Sequence, residues 1–372
     1  MATAALAVAG SAQCVAGWAA VQRFARTPAL RLAGYPPVTI LKPLHGNEPL
    51  LEQALATFCA QNYPAFQVVF GVQDAADPAL PILDKLRARF PAVDIAVVID
   101  PTPHGLNRKV ANLLNMLPHA RHDVLVIADS DIHAAPDYLA HLVASLRQPG
   151  VGLVTTLYSG LPAGPGLTSW LGAEHINHAF LPGALMARGL GREDCLGATM
   201  ALTRSMLDRV GGLPALVDHL ADDAELGRLV KALGGRIALA QTVPATTVAE
   251  AHLPELFAHE LRWARTILSL APIGFAMSCI QYPLFWAALT VGLSGGEDWA
   301  WTAFAFAWLV RGLANTGIDR VLGLSPAAGF WCLPLRDIMS ITIMLASLRS
   351  DRVAWRGQTL RTTRPSLAPG KG

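Results

Sequence analysis

Four short β-branched runs, Val38 to Leu41, Val68 to Val72, Ile95 to Ile99 and Val124 to Ala128, start at positions 38, 68, 95 and 124, so 30, 27 and 29 residues apart. None alternates apolar with polar residues, which is how strands read when both faces of their sheet are covered. Helical patterns lie between them: Pro49 to Ala60, Pro78 to Phe90 with Lys85, Arg87 and Arg89 on its polar side, and Arg108 to Leu117. Strand, helix and strand at this spacing predict right-handed crossovers and an α/β, doubly wound, mostly parallel, Rossmann-like sheet. Ligands of such sheets bind beyond the carboxyl ends of the strands. The positions of interest are therefore those just after each strand: Asp74, Asp100, and Asp129-Ser130-Asp131.

The ladder occupies only the middle of the 372 residues. The chain is 52% hydrophobic and 15% charged, whereas about a quarter of an ordinary soluble domain is charged. The surplus sits at the ends. Ala4 to Val21 is long enough to span hydrocarbon. No basic residue precedes it and Arg23, Arg26 and Arg31 follow, so it reads as a retained anchor with its C-terminal end in the cytosol. Ala271 to Ser294 and Trp299 to Ile318 are two further expected spans, joined by the acidic loop Gly295-Gly296-Glu297-Asp298 facing outward, with Arg311 snorkelling toward the cytosol. Trp331 to Leu348 contains Arg336-Asp337, and an ion pair in hydrocarbon is costly, so this run is expected to dip into the interface. The sequence thus divides into an anchor with a basic juxtamembrane segment (1–34), a cytosolic catalytic domain (35–265), transmembrane and interfacial helices (266–350) and a basic cytosolic tail (351–372).

Several function classes drop out. Lys+Arg 29 against Asp+Glu 27 leaves +2, which offers no field to recruit nucleic acid. Five scattered cysteines with no C-x-x-C fit reduced thiols better than a disulfide framework or a zinc site. Neither G-x-G-x-x-G nor a P-loop is present. Gly292 to Gly296 matches G-x-S-x-G without a preceding strand, and His259-Glu260 opens like a zincin helix but has Trp at 263.

Two carboxylates on the turn after a buried strand, Asp129 and Asp131, can share a hard divalent cation, Mg2+ or Mn2+, that also grips a diphosphate; the plainer role is to end the strand. Asp222-Asp223 opens a helix closed by Gly234-Gly235, where acids ordinarily complement the dipole; a carboxylate there can also take a proton from an attacking hydroxyl. Lys109, in Asn107-Arg108-Lys109 at a helix start, opposes the dipole, and a bound anion nearby would account for it. Arg262 and Trp263, in His259-Glu260-Leu261-Arg262-Trp263, read equally well as interfacial anchors or as a phosphate clamp and acceptor-lining pair. His175 and His178, without carboxylates at ligand spacing, read as packing or surface residues.

Lys42-Pro43-Leu44, Val72-Gln73-Asp74 with Asp77-Pro78, Asn107-Arg108-Lys109 with Asn112-Leu113, Asp129-Ser130-Asp131, Asp222-Asp223 and Arg262-Trp263 occur in the order and spacing of ceramide glucosyltransferase-like enzymes, which the chain resembles from about Val38 to Arg265 and weakly at Trp355-Arg356-Gly357. These enzymes form glycosyltransferase family 21, close kin of family 2. Within the group, the strings around Asn107, His119 to Asp131 and His259 to Thr266 are most similar to the bacterial hopanoid-biosynthesis glycosyltransferases. The resemblance implies a GT-A-type fold and an inverting transfer of N-acetylglucosamine from its UDP-sugar to a hopanoid polyol in the lipid bilayer of the bacterial inner membrane. It implies that Asp74, Asn107, Lys109, Asp129 and His259 hold the donor, that Asp129 and Asp131 hold the metal, and that Asp223 is the general base with Arg262 and Trp263 completing the site. His259 stands where the wider family has Gln or Arg. The same machinery serves a ceramide glucosyltransferase. A processive polysaccharide synthase, for which three spans are few, and a catalytically silent lipid-binding protein are the remaining alternatives.

Overall fold

The computed structural model describes residues 1–32, 34–325 and 329–350, and the backbone of 352–355 and 358–361. The basic tail expected at 351–372, with Trp355-Arg356-Gly357, otherwise lies outside the described residues. The chain forms two compact units, one of Phe24–Ala163 with Ala187–Ala249, the other of Met1–Arg23, Gly164–Met186 and Glu250–Gly372.

The first unit holds the expected ladder. Strands β1 (Val38–Pro43), β2 (Phe66–Val72), β3 (Asp94–Ile99) and β4 (Val124–Ala128) pair in parallel, with Ile40 opposite both Val68 and Val126. Successive side chains point to opposite faces. Ile40, Val68, Phe70 and Val126 enter one core with helices Leu51–Cys59, Leu80–Arg89 and Tyr138–Leu146. Leu41, Val69, Leu125 and Ile127 enter the other with Arg108–Met116 and Asp222–Ala232. Two covered faces explain the unbroken apolar runs.

Six further strands continue the unit: β5 (Ile132–His133), β6 (Val151–Thr155), β7 (Ser159–Pro162), β8 (Thr199–Thr203), β9 (Arg236–Leu239) and β10 (Ala245–Val248). The main sheet runs β3-β2-β1-β4-β8-β6-β9, with β8 antiparallel to β4 and β6, and a small second sheet runs β5-β10-β7. The winding reverses between β1 and β4. That switch point is where an open α/β sheet leaves a crevice.

The second unit is helical. Among its described residues, Ala2–Arg26 and Phe330–Ser347 are long and apolar enough to cross a membrane. The run expected as one span at 271–294 is a pair of helices, Pro272–Gln281 and Pro283–Leu293, bent by 67° where Pro283 breaks the hydrogen-bond ladder. Trp299 to Ile318, also expected as a span, lies in helix Asp298–Leu322, which is not among the described helices apolar enough to cross a membrane.

Three local readings are corrected here. Arg311 does not snorkel toward the cytosol but is buried, pairing with Asp337 at 2.9 Å. Arg336 and Asp337 are not partners of one another, because Arg336 forks onto Glu260. Each charge in Phe330–Ser347 is thus neutralised by another helix, which removes the reason for the segment merely to dip. His178 is not a surface or packing residue: it lies buried between Glu174 and Asp319, 2.8 Å from each, and their charges hold the imidazole up at about 9 although burial works against it.

Candidate functional site

The carboxyl ends of β1 and β4 carry the charged groups that face the crevice. Lys42, near the end of β1, is fully buried. Its ammonium lies 3.8 Å over the Phe58 ring and donates to the Asp129 backbone carbonyl. Burial lowers its pKa, opposed by the Asp131 and Asp129 carboxylates. From the start of helix Arg108–Met116, Lys109 reaches Asp129 Oδ1 at 2.6 Å and Asp222 Oδ2 at 3.7 Å. Burial disfavours the Lys109 charge, but these carboxylates outweigh it and keep the ammonium protonated. The anion that its place at a helix start called for is therefore, in part, the protein's own.

Asp131 is held from the second sheet. Thr246 on β10 donates to its Oδ2 at 2.5 Å, and the Thr247 N–H donates to its backbone carbonyl at 3.0 Å. Ser130, between the two acids, donates to Glu48 at 2.7 Å and so pins the turn. Burial and the neighbouring Asp129 charge push Asp131 up to about 6. A divalent cation would relieve that repulsion. Among the described residues no three His, Cys, Asp or Glu side chains converge as an all-protein cage. One or two carboxylates with the remaining positions left to phosphate oxygens is how Mg2+ is commonly held on nucleotides, so Asp129 and Asp131 fit the implied ion.

Asp223 opens helix Asp222–Ala232 and the two acids divide the work. Asp222 is buried and faces Lys109 and the Asn107 amide, 3.3 Å away. Asp223 has one oxygen on the N–H of Ala224 at 2.8 Å, while the other overlies Gly197. Burial and the Asp222 charge push Asp223 up to about 6. The charges of Asp223, Asp129 and Asp131 all act on Tyr158, whose hydroxyl is raised by burial and by them. Three of the expected carboxylates thus share one cluster.

Gly197 is required by this packing. A Cβ there would stand 2.8 Å from Asp223 Oδ2, a distance real Cβ atoms do not adopt. Gly197→Ala is expected to displace the carboxylate and lower any reaction that uses it by about 10²-fold, the cost of misplacing a reacting group by roughly 1 Å. Steady-state rates beside a thermal melt would separate this from unfolding.

The other expected residues fall differently. Asp74 follows β2 at the same rim, but is exposed and accepts the Ala76 N–H within its own turn at 2.9 Å. Asn107, expected to hold the donor, is buried with its carboxamide engaged inside the protein: it accepts from the N–H groups of Lys109 and Val110 and donates to His219 and Asp222. It is a helix cap that places Lys109 and Asp222. His259, Arg262 and Trp263 belong to the helical unit, on helix Leu253–Leu270, where His259 meets Glu250 through Nδ1 and lies edge-on to Trp263 at 4.4 Å. Lys42, Glu48, Thr246 and Tyr158 were not expected as part of the cluster. Only Lys42 carried a signal, a cation inside an otherwise apolar buried strand.

A mixed sheet of this order, with acids gathered at its switch point and a small second sheet bracing them, defines a GT-A-type glycosyltransferase domain, here in a chain with membrane-length helices. Its family is shown by sequence: the glycosyl transferase family 21 profile matches residues 2–367, and the chain belongs to that family. A ceramide glucosyltransferase of Candida albicans is 36% identical over 125 residues, 30% of this chain and 23% of that protein. Ceramide glucosyltransferase 1 of Caenorhabditis elegans is 22% identical over 339 residues, 88% of this chain and 72% of that protein. The match thus spans about a quarter of the fungal relative and most of the worm one. Among solved structures, a mannosyltransferase of Pyrobaculum calidifontis in complex with GDP-Man and Mn2+ superposes with a TM-score of 0.52 at 19% identity, covering 93% of this chain and 99% of that one, a likeness of fold.

Proposed function

We propose that the protein is an inverting glycosyltransferase that moves a sugar from a UDP-sugar to a hydroxyl of a membrane lipid, with its sheet unit on the cytosolic face of the bacterial inner membrane. The observation that carries this reading is the cluster of Asp129, Asp222 and Asp223 around Lys109, with Asp131 beside Asp129, at the sheet's switch point in a chain with membrane-length helices. The lipid hydroxyl attacks the anomeric carbon, the bond from that carbon to the diphosphate breaks, and Asp223 accepts the hydroxyl proton. One displacement inverts the centre. Asp129 and Asp131 hold a divalent cation, which supplies charge for the departing diphosphate. Asp74 serves the nucleoside, Lys109 and His259 serve the donor, and Arg262 with Trp263 completes the site, as the family pattern implies.

For the acceptor, a hopanoid polyol receiving N-acetylglucosamine is the reading favoured by the strings around Asn107 and His259. The relatives named ceramide glucosyltransferase support glucosylceramide as a second reading. Mass spectrometry of lipids from cells expressing the protein with each donor and acceptor separates them. A new lipid heavier by one hexosamine on a polyol selects the first, one heavier by a hexose on ceramide selects the second, and no glycolipid with any pair rejects both.

A further inference from the structure

Helix Leu253–Leu270 turns one narrow stripe inward, because its buried residues are Leu256, Glu260 and Ala264, each one turn from the next. Leucine and alanine fix no rotation about the helix axis, since an apolar contact is non-directional. Glu260 does. Its carboxylate receives the fork of Arg336 on helix Leu333–Ser347, Nη1 to Oε1 at 2.8 Å and Nη2 to Oε2 at 2.6 Å. The guanidinium's other hydrogens go to Ser340 Oγ on its own helix and to the Leu171 carbonyl of helix Leu167–His175. Three helices of one unit are thereby registered on a planar group with fixed donor directions. Stability alone does not call for this arrangement, because a buried ion pair can often be replaced by apolar residues at no loss.

Glu260 lies between His259 and Arg262-Trp263 on that helix. At about 100° per residue, the azimuth of Glu260 sets theirs. We propose that Arg336 is a positioning residue of the transfer reaction, which through its fork on Glu260 fixes the rotation at which Arg262 and Trp263 are presented. The inference rests on the part given to Arg262 and Trp263 above.

The test uses the full chain in lipid nanodiscs, with rates expressed per folded molecule from gel filtration. Glu260→Gln is expected to lower kcat by about 10 to 100-fold, with the KM for the UDP-sugar and the affinity for UDP within about two-fold of the parent. Arg336→Lys keeps the charge without the fork and is expected to fall between the two. The pair Glu260→Met with Arg336→Leu is expected to fold as well as the parent and still to lack kcat. An unchanged kcat in Glu260→Gln, or its recovery in the apolar pair, would overturn the proposal. Arg262→Ala and Trp263→Ala run alongside: if both lose turnover while Glu260→Gln does not, only the positioning fails. If neither loses turnover, the reading beneath it fails too.

Discussion

Asp223→Asn is expected to lower transfer by roughly 10²–10⁴-fold, the range over which a positioned general base contributes, with UDP affinity retained. The substitution keeps the side chain's shape and its oxygen on the Ala224 N–H, so the first turn of the helix persists. It also keeps clear of Gly197, which leaves room for an amide as for a carboxylate. What it removes is a group able to accept a proton. The wild-type profile supplies a second signature. Because burial and Asp222 raise Asp223 to about 6, the base is ionised and active above that pH and is lost as pH falls through it, so transfer should decline on the acid side of about 6. Asp131 stands at about 6 as well and contributes to the same limb, so the residual rate of Asp223→Asn should fall less steeply with acid, through one protonation in place of two. Turnover equal to the parent, or an unaltered acid limb, would remove Asp223 from the reaction.

The sheet was legible because its cause is local. Unbroken β-branched runs about thirty residues apart leave little choice but parallel strands with helices on both faces, and the acids after β4 fall at the rim by topology. What the sequence did not show was set by partners far along the chain. Thr246 acts on Asp131 across 115 residues, and Asn107 meets Asp222 across the same separation. No spacing rule joins positions so remote. Asn107 illustrates the consequence: its type and place suited a ligand group, but only the fold shows that its amide is fully engaged by His219, Asp222 and its own helix start.

The helical unit misled for a related reason. An arginine and an aspartate side by side in an apolar run suggest one another as partners, yet adjacent residues on a helix point about 100° apart and cannot face each other. Arg336 turns to Glu260 and Asp337 to Arg311, and Asp337 also accepts the Leu284 N–H at 2.9 Å, at the helix start that Pro283 leaves open. His178 was likewise read without Asp319, 141 residues away. In each case a neutralising group lay far along the chain, although Glu174, four residues before His178, was in view and its i, i+4 spacing was missed. Composition therefore marked the apolar runs without settling which of them is interrupted or which is apolar enough to cross a membrane.

Asp131→Asn tests the other half of the site. Its carboxylate carries a repulsion that a bound divalent cation would relieve, since Asp129 adds negative charge beside it, Lys42 offsets that charge only in part and Lys109 lies on Asp129. Asparagine keeps an oxygen for the Thr246 hydroxyl, so the junction of β5 and β10 should hold and the melting temperature should move little. UDP binding should lose its dependence on added Mn2+ or Mg2+, and transfer should fall by about 10²–10³-fold, equivalent to about 3–4 kcal/mol of charge stabilisation. Titrating UDP with and without the ion, by calorimetry, reads the effect without any turnover. The parent should bind more tightly when the ion is present and the variant should not. Equal tightening in both would assign the cation to other groups, and the carboxyl pair after β4 would then be only the end of a strand.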